Sequence, residues 1–258
     1  MVENRNTETG TETGQRRLTA RSVLASTLLG SDPPELPVAH LVQLCSLFGL
    51  SENRARVALS RMVASGEATT DGAGRYRLSG HLLERQRRQN ASRAGRTRPW
   101  RGQWHLVVVT TTGSAPEVRN RRRTALELAR LSELREGVWL RPDNLEAPIP
   151  QDLGPDITRL SARPEQPEEL VVRLWDTAAW AERARLLSDQ LTALPPRDWT
   201  DLEPGFVLSA AVLRHFQADP LLPPELLAPD WPGRHLRACY DDWDRRYRRV
   251  LAEWTPSS

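Results

Sequence analysis

The run SENRARVALSRMVASG, residues 51–66, holds the side chains best suited to chemistry on a DNA duplex. At about 100° per residue, Asn53, Arg54, Val57, Ser60 and Arg61 fall on one side of a helix, and Arg56 adds a further guanidinium. Guanidinium forks donate to phosphate oxygens and guanine edges, a short amide matches adenine, and a hydroxyl serves either. Ala55, Leu59, Met62 and Val63 fall on the other side and form a core stripe. A second basic pair follows in Arg75-Tyr76-Arg77-Leu78, where strand alternation sets Arg75 and Arg77 against an apolar underside of Tyr76 and Leu78. These eight residues, Asn53, Arg54, Arg56, Val57, Ser60, Arg61, Arg75 and Arg77, are the candidate DNA-binding set. The alternative is a small helical domain whose arginine-rich face is merely solvated.

Other chemistries find less support. His40 and Cys45 could evoke a base and a nucleophile, but at i and i+5 on an apolar helix their ordinary role is packing. Cys45 and Cys239 are the only cysteines, too far apart in sequence for a metal cluster or a disulfide framework.

The elements around the basic run have a definite order. Residues 1–17 hold one apolar side chain beyond the initiator Met and read as a disordered tail. Thr19–Leu29 and Val38–Phe48 have helical spacing, the second ending at Gly49 just before Ser51 can cap the basic helix. After Gly66, the turn Asp71-Gly72-Ala73-Gly74 separates two short strand signals. Helix, helix, tight turn, helix and hairpin is the order of a winged helix-turn-helix. Ser79 can cap a further helix to about Asn90. Trp104–Thr112 is a β-branched run expected to form a strand, Glu117–Leu134 a long helix, Gly137–Leu140 and Ile157–Ala162 two more strands, and Pro167–Trp175 a short helix. This pattern suggests a ferredoxin-like α+β domain without an identifiable fourth strand. From Asp176 onward the chain reads as helices: 177–194, 204–217 and about 234–254, with a proline-punctuated connection at 219–233.

The expected division is therefore a tail (1–17), a winged helix-turn-helix domain (18–91), a linker (92–99), a ferredoxin-like domain (100–175) and a helical domain (176–258). All 36 basic residues of the 258 are arginine, yet the net charge is only +3, so a nucleic-acid footprint must be local. No stretch approaches the run of about 20 apolar residues that a membrane span needs, and the start is no secretory signal. A cytoplasmic protein without membrane attachment is expected.

Several motifs together resemble the PaaX family of bacterial transcriptional repressors, named for control of phenylacetate breakdown. They are LLG at 28–30, FGLSENRARVALSRMVASGE at 48–67, RYRLSG at 75–80, WRGQWHLVVV at 100–109, EGVWLRP at 136–142, LWD at 174–176 and LPPELLAPDWPG at 222–233. They run in the family's order over about residues 18–250. The sequence departs from the family pattern at Leu131–Arg135, where an aromatic glycine-containing stretch is common, and at Glu67-Ala68, where a Gly-Trp-like pair is frequent. The resemblance implies a repressor that binds a double-stranded operator as a homodimer and is released by an acyl- or aryl-coenzyme A such as phenylacetyl-coenzyme A. It also implies a middle domain similar to the small CRISPR-associated nucleases. Metal-dependent cleavage would need carboxylates at the end of the first strand, and Thr110–Gly113 supplies none before Glu117. Neither an enzyme nor a cofactor is expected; a nuclease-like enzyme and an interaction module that does not bind DNA are the alternatives.

A thioester effector presents phosphates, an adenine face and an acyl tail, which call for guanidinium groups beside aromatic walls. Trp139, Arg141, Arg173 and Trp175, with Trp231, Arg234 and His235, supply that chemistry. The same residues could equally pack a domain interface.

Overall fold

The computed structural model describes residues 18–110, 113, 115–154 and 156–253. The expected tail at 1–17, Thr111 and Thr112 of the expected first strand of the middle domain, and Trp254 of the last helix lie outside these residues. The chain divides into two compact units, 1–84 and 85–258.

The first unit runs α1 (Ala20–Gly30), β1 (Glu35–Pro37), α2 (Val38–Leu47), α3 (Glu52–Ala64), β2 (Ala68–Thr70) and β3 (Arg75–Leu78). The side-chain oxygen of Thr19 accepts from the Ser22 amide, and Ser22 returns a bond to the Thr19 amide, which starts α1. α2 and α3 are joined by a tight turn in which Gly49 has φ 65°, a conformation open to glycine at little cost. Val23, Leu28, Leu41, Cys45, Ala55, Leu59 and Met62 close the core between the three helices. The three strands pair antiparallel in the order β1-β3-β2. β1 was not anticipated: Asp32-Pro33-Pro34 reads as a connection, and three residues acquire strand identity only by pairing Glu35 with Arg77 and Pro37 with Arg75.

A helix α4 (Gly80–Ala94) begins in the first unit and ends in the second. The linker expected at 92–99 thus starts inside a helix. Its reason is polar: Ser92 is buried, the carbonyls of Ser92 and Arg93 accept from Arg237, and the Arg93 guanidinium bonds Asp241 and Asp244.

In the second unit a four-stranded antiparallel sheet has the order β5-β6-β4-β7, formed by β4 (Trp104–Val109), β5 (Ser132–Arg135), β6 (Val138–Pro142) and β7 (Ile157–Ala162). α5 (Pro116–Leu128) crosses from β4 to β5, giving the split β-α-β arrangement and strand order of a ferredoxin-like sheet. The fourth strand is thus β5, which the sequence reading absorbed into a helix ending at Leu134. The helix stops because Arg130 takes a left-handed φ of 62°, and the chain then turns back through Gly137 at φ 76°. α6 (Pro167–Leu174) packs Val171 and Leu174 against Trp104 and Leu140 on one sheet face, while Leu126 of α5 packs with Val107 and Trp139 on the other.

The rest is helical: α7 (Thr177–Ala193), capped by the Asp176 carboxylate on the Ala179 amide, α8 (Leu202–Gln217) and α9 (Gly233–Glu253). Their core joins Trp180, Leu187, Phe216, Leu236, Tyr240 and Trp243. Leu222 and Leu226 of the connecting segment complete the core around Trp104. The expected middle and helical domains therefore share one compact unit. No helix among the described residues is long and apolar enough to cross a membrane.

Candidate functional site

α3 is set by its own apolar stripe: Ala55, Leu59 and Met62 are fully buried, which leaves Asn53, Arg54, Arg56, Val57, Ser60 and Arg61 exposed together. Val57 is an apolar side chain left 42% exposed amid arginines, a position at which a thymine methyl could meet it. The Ser51 hydroxyl accepts from the Arg54 amide at the helix start. Arg56 bonds Glu52 one turn earlier at 2.7 Å, and the Ser60 hydroxyl donates to the Arg56 carbonyl at 3.1 Å. Both can exchange these solvent-facing bonds for a ligand.

The wing is short. The Asp71 carboxylate accepts from the amides of Ala73 at 2.8 Å and Arg75 at 3.0 Å, and these bonds, that of Arg75 foremost, hold it below the usual carboxylate range. Arg75 and Arg77 are exposed as alternation requires, but neither is a bare cation. Both reach Glu35 of β1, with Arg75 Nε 2.5 Å from Oε1 and Arg77 Nε 2.7 Å from Oε2. Bonding to Arg75 and then Arg77 lowers the Glu35 pKa.

A buried acid braces the base of the wing. Glu67, only 6% exposed, takes a two-pronged bond from Arg21 of α1, with His81 Nε2 3.5 Å away. The Arg21 contact keeps its pKa low. Sequence reasoning found neither Glu35 nor Glu67 as partners, since each lies about forty or more residues from its arginine.

Cys45 is fully buried in the first core, and burial pushes its thiol up to about 11; His40 is lowered for the same reason. Such a thiol is a packing group. Among the described residues, no group of three or more His, Cys, Asp or Glu side chains could hold a metal ion.

The suggested effector residues are dispersed. Trp139 is buried with Val107, Leu126 and Leu131 under α5, with the Arg123 guanidinium 5.6 Å from its ring. Trp175 lies on the opposite sheet face, 6.2 Å from Trp104. Trp231 stacks on Trp180 at 4.7 Å in the helical core. Arg173, Arg234 and His235 are exposed, whereas Arg141 is buried. These residues thus fall into three clusters rather than one pocket.

Fold and exposed face define a winged-helix protein with a ferredoxin-like second unit. Residues 19–82 match the family model described as PaaX-like protein, and residues 97–154 match the PaaX protein central Cas2-like domain. The chain is 42% identical to a solved structure, the uncharacterised protein Rv0674 from Mycobacterium tuberculosis, with a TM-score of 0.73 over 91% of this chain and 97% of that one. No curated protein matches the chain. The chain belongs to the PaaX family. Members of this family are generally transcriptional regulators of phenylacetate catabolism, and regulators rather than enzymes.

Proposed function

We propose that the protein is a sequence-specific DNA-binding repressor released by a small-molecule effector. The observation that carries this reading is the exposed face of α3, where six side chains able to contact base edges and phosphates are presented by a helix-turn-helix, with two wing arginines beside it. In such motifs the second helix enters the major groove and the wing tracks the backbone. Selection of bound duplexes from a random pool, followed by retention of the winning site in a salt titration, tests the reading. A single enriched motif is expected, protected from cleavage in a footprint. Binding of all duplexes alike, or of none, would defeat it.

We infer further that the effector is an acyl- or aryl-coenzyme A thioester, a reading supported by family membership. It must bind the DNA-free form more tightly than the bound form, since equal affinity shifts nothing. Thioesters and their free acids are to be titrated against a preformed complex. Release by a thioester at concentrations where its acid is silent is the expected result.

A further inference from the structure

A cavity of about 360 Å³ lies in the second unit between the sheet and the segment that joins β6 to β7. Register builds its floor: His105 of β4 pairs directly with Arg141 of β6, so the two share a face. Arg159 of β7, opposite Val107, lies one step along that same face. Arg98 and Glu146 also line the cavity, and Leu145, Pro148 and Ile149 supply apolar walls.

The charges in this cavity are unevenly satisfied. Arg98 and His105 share the Asp143 carboxylate, with His105 Nε2 at 2.7 Å. Among the described residues Arg141 has only neutral hydrogen-bond acceptors: Nη1 donates to the Ala129 carbonyl at 2.8 Å and Nη2 to that of Ala147 at 2.7 Å. Its side chain is 2% exposed, and its buried Nε–H has no hydrogen-bond partner among the described residues. Arg159 is likewise held by the carbonyls of Pro150 and Gln151, at 2.5 and 2.9 Å. A buried guanidinium with an unused donor is costly unless an anion completes it. Burial, with repulsion from Arg98 and Arg130, depresses Arg141 to about 10 despite Asp143 nearby.

We propose that this cavity binds a small organic acid, its carboxylate against Arg141 and its apolar body against Leu145, Pro148 and Ile149. The volume sits at the small end of the ligand-pocket range of about 300–1,000 Å³, enough for an arylcarboxylate but not for a nucleotide-bearing thioester. The site shares Arg141, and no other residue, with those suggested for a thioester, and it stands without that reading.

Titration calorimetry on the DNA-free protein tests the site with benzoate, inorganic phosphate and benzoyl-coenzyme A as probes. Benzoate is expected to bind, to lose about tenfold in affinity in Arg141→Met and to gain severalfold in Glu146→Gln, which removes an acidic wall. The gain matters because a purely structural arginine cannot produce it, and it keeps the test decisive if Arg141→Met fails to fold. Absence of benzoate binding, or binding indifferent to both substitutions, overturns the proposal. Displacement of benzoate by equimolar phosphate overturns the organic-acid assignment, and displacement by equimolar benzoyl-coenzyme A overturns the assignment to a free acid. None of these outcomes depends on DNA binding, so they are read separately from the fate of the repressor reading.

Discussion

Arg54 and Arg61 are exposed on the helix that would enter the groove, and their removal takes nothing from the core. Each alanine variant is expected to fold normally and to lose about 1–3 kcal/mol of discrimination at one base position, read from competition between matched and mismatched duplexes. Glu35 makes the wing different. Because one carboxylate spans Arg75 and Arg77, phosphate must compete with it, and Arg77→Ala alone should weaken binding alike for every sequence. Glu35→Gln should do the reverse, raising affinity and steepening the dependence of log K on log salt by about one, measured by filter retention. Glu67 adds a pH dependence. Its folded pKa lies below the unfolded value of about 4.3, so its bond to Arg21 contributes fully above that pH and is lost as pH falls through the folded pKa. Glu67→Gln should cost about 1–3 kcal/mol at neutral pH, with wild-type and variant melting curves converging in acid.

At the scale of elements, a close approach joins the chain just after α3 to the start of α4. Gly80 has φ 51°, and a Cβ built there would stand 2.6 Å from the Gly66 carbonyl oxygen, which also accepts from the Ser79 hydroxyl at 2.9 Å. Gly80→Ala must therefore either strain its backbone or push the end of α3 away. The expected cost is about 1–3 kcal/mol in denaturant titration, with a loss of DNA affinity larger than the lost stability explains. Gly205 does the same for α8 and α9: a Cβ there would lie 2.7 Å from the Tyr247 ring, so Gly205→Ala should lower the melting temperature.

For the whole molecule, one recognition helix covers one half-site, and two-fold pairing is the usual route to a specific operator. We expect a homodimer on an inverted repeat whose half-sites lie a whole number of turns apart, with light scattering giving twice the chain mass. Cutting the chain at Asp176 to locate the dimer surface would strip Leu222 and Leu226 from the core around Trp104. Dimerisation is better dissected with surface substitutions in the intact protein. Asp219 is a further whole-chain constraint: 2% exposed, it bonds Arg237 at 2.8 Å and the Leu221 amide at 2.9 Å while its carbonyl takes Arg130. Asp219→Ala keeps the carbonyl that holds Arg130 but removes the carboxylate that meets Arg237, and should destabilise the second unit by about 3–5 kcal/mol.

What the sequence determined by itself was whatever depends on near neighbours. Periodicity marked α1 to α3, alternation exposed Arg75 and Arg77, and Asp176 announced the start of α7, because these turn on residues within a few positions of each other. The exposed set on α3 was legible for the same reason, since burying Ala55, Leu59 and Met62 leaves its other side no choice. What only the tertiary structure decided depends on partners far along the chain. β1 and β5 are three and four residues long and become strands through pairing, Glu35 meets its arginines forty and forty-two residues later, and α4 runs into the expected linker because Arg237 holds its end. The dispersal of the tryptophans, and the convergence of His105, Arg141 and Arg159 on one sheet face, follow from register, which composition and local spacing do not contain.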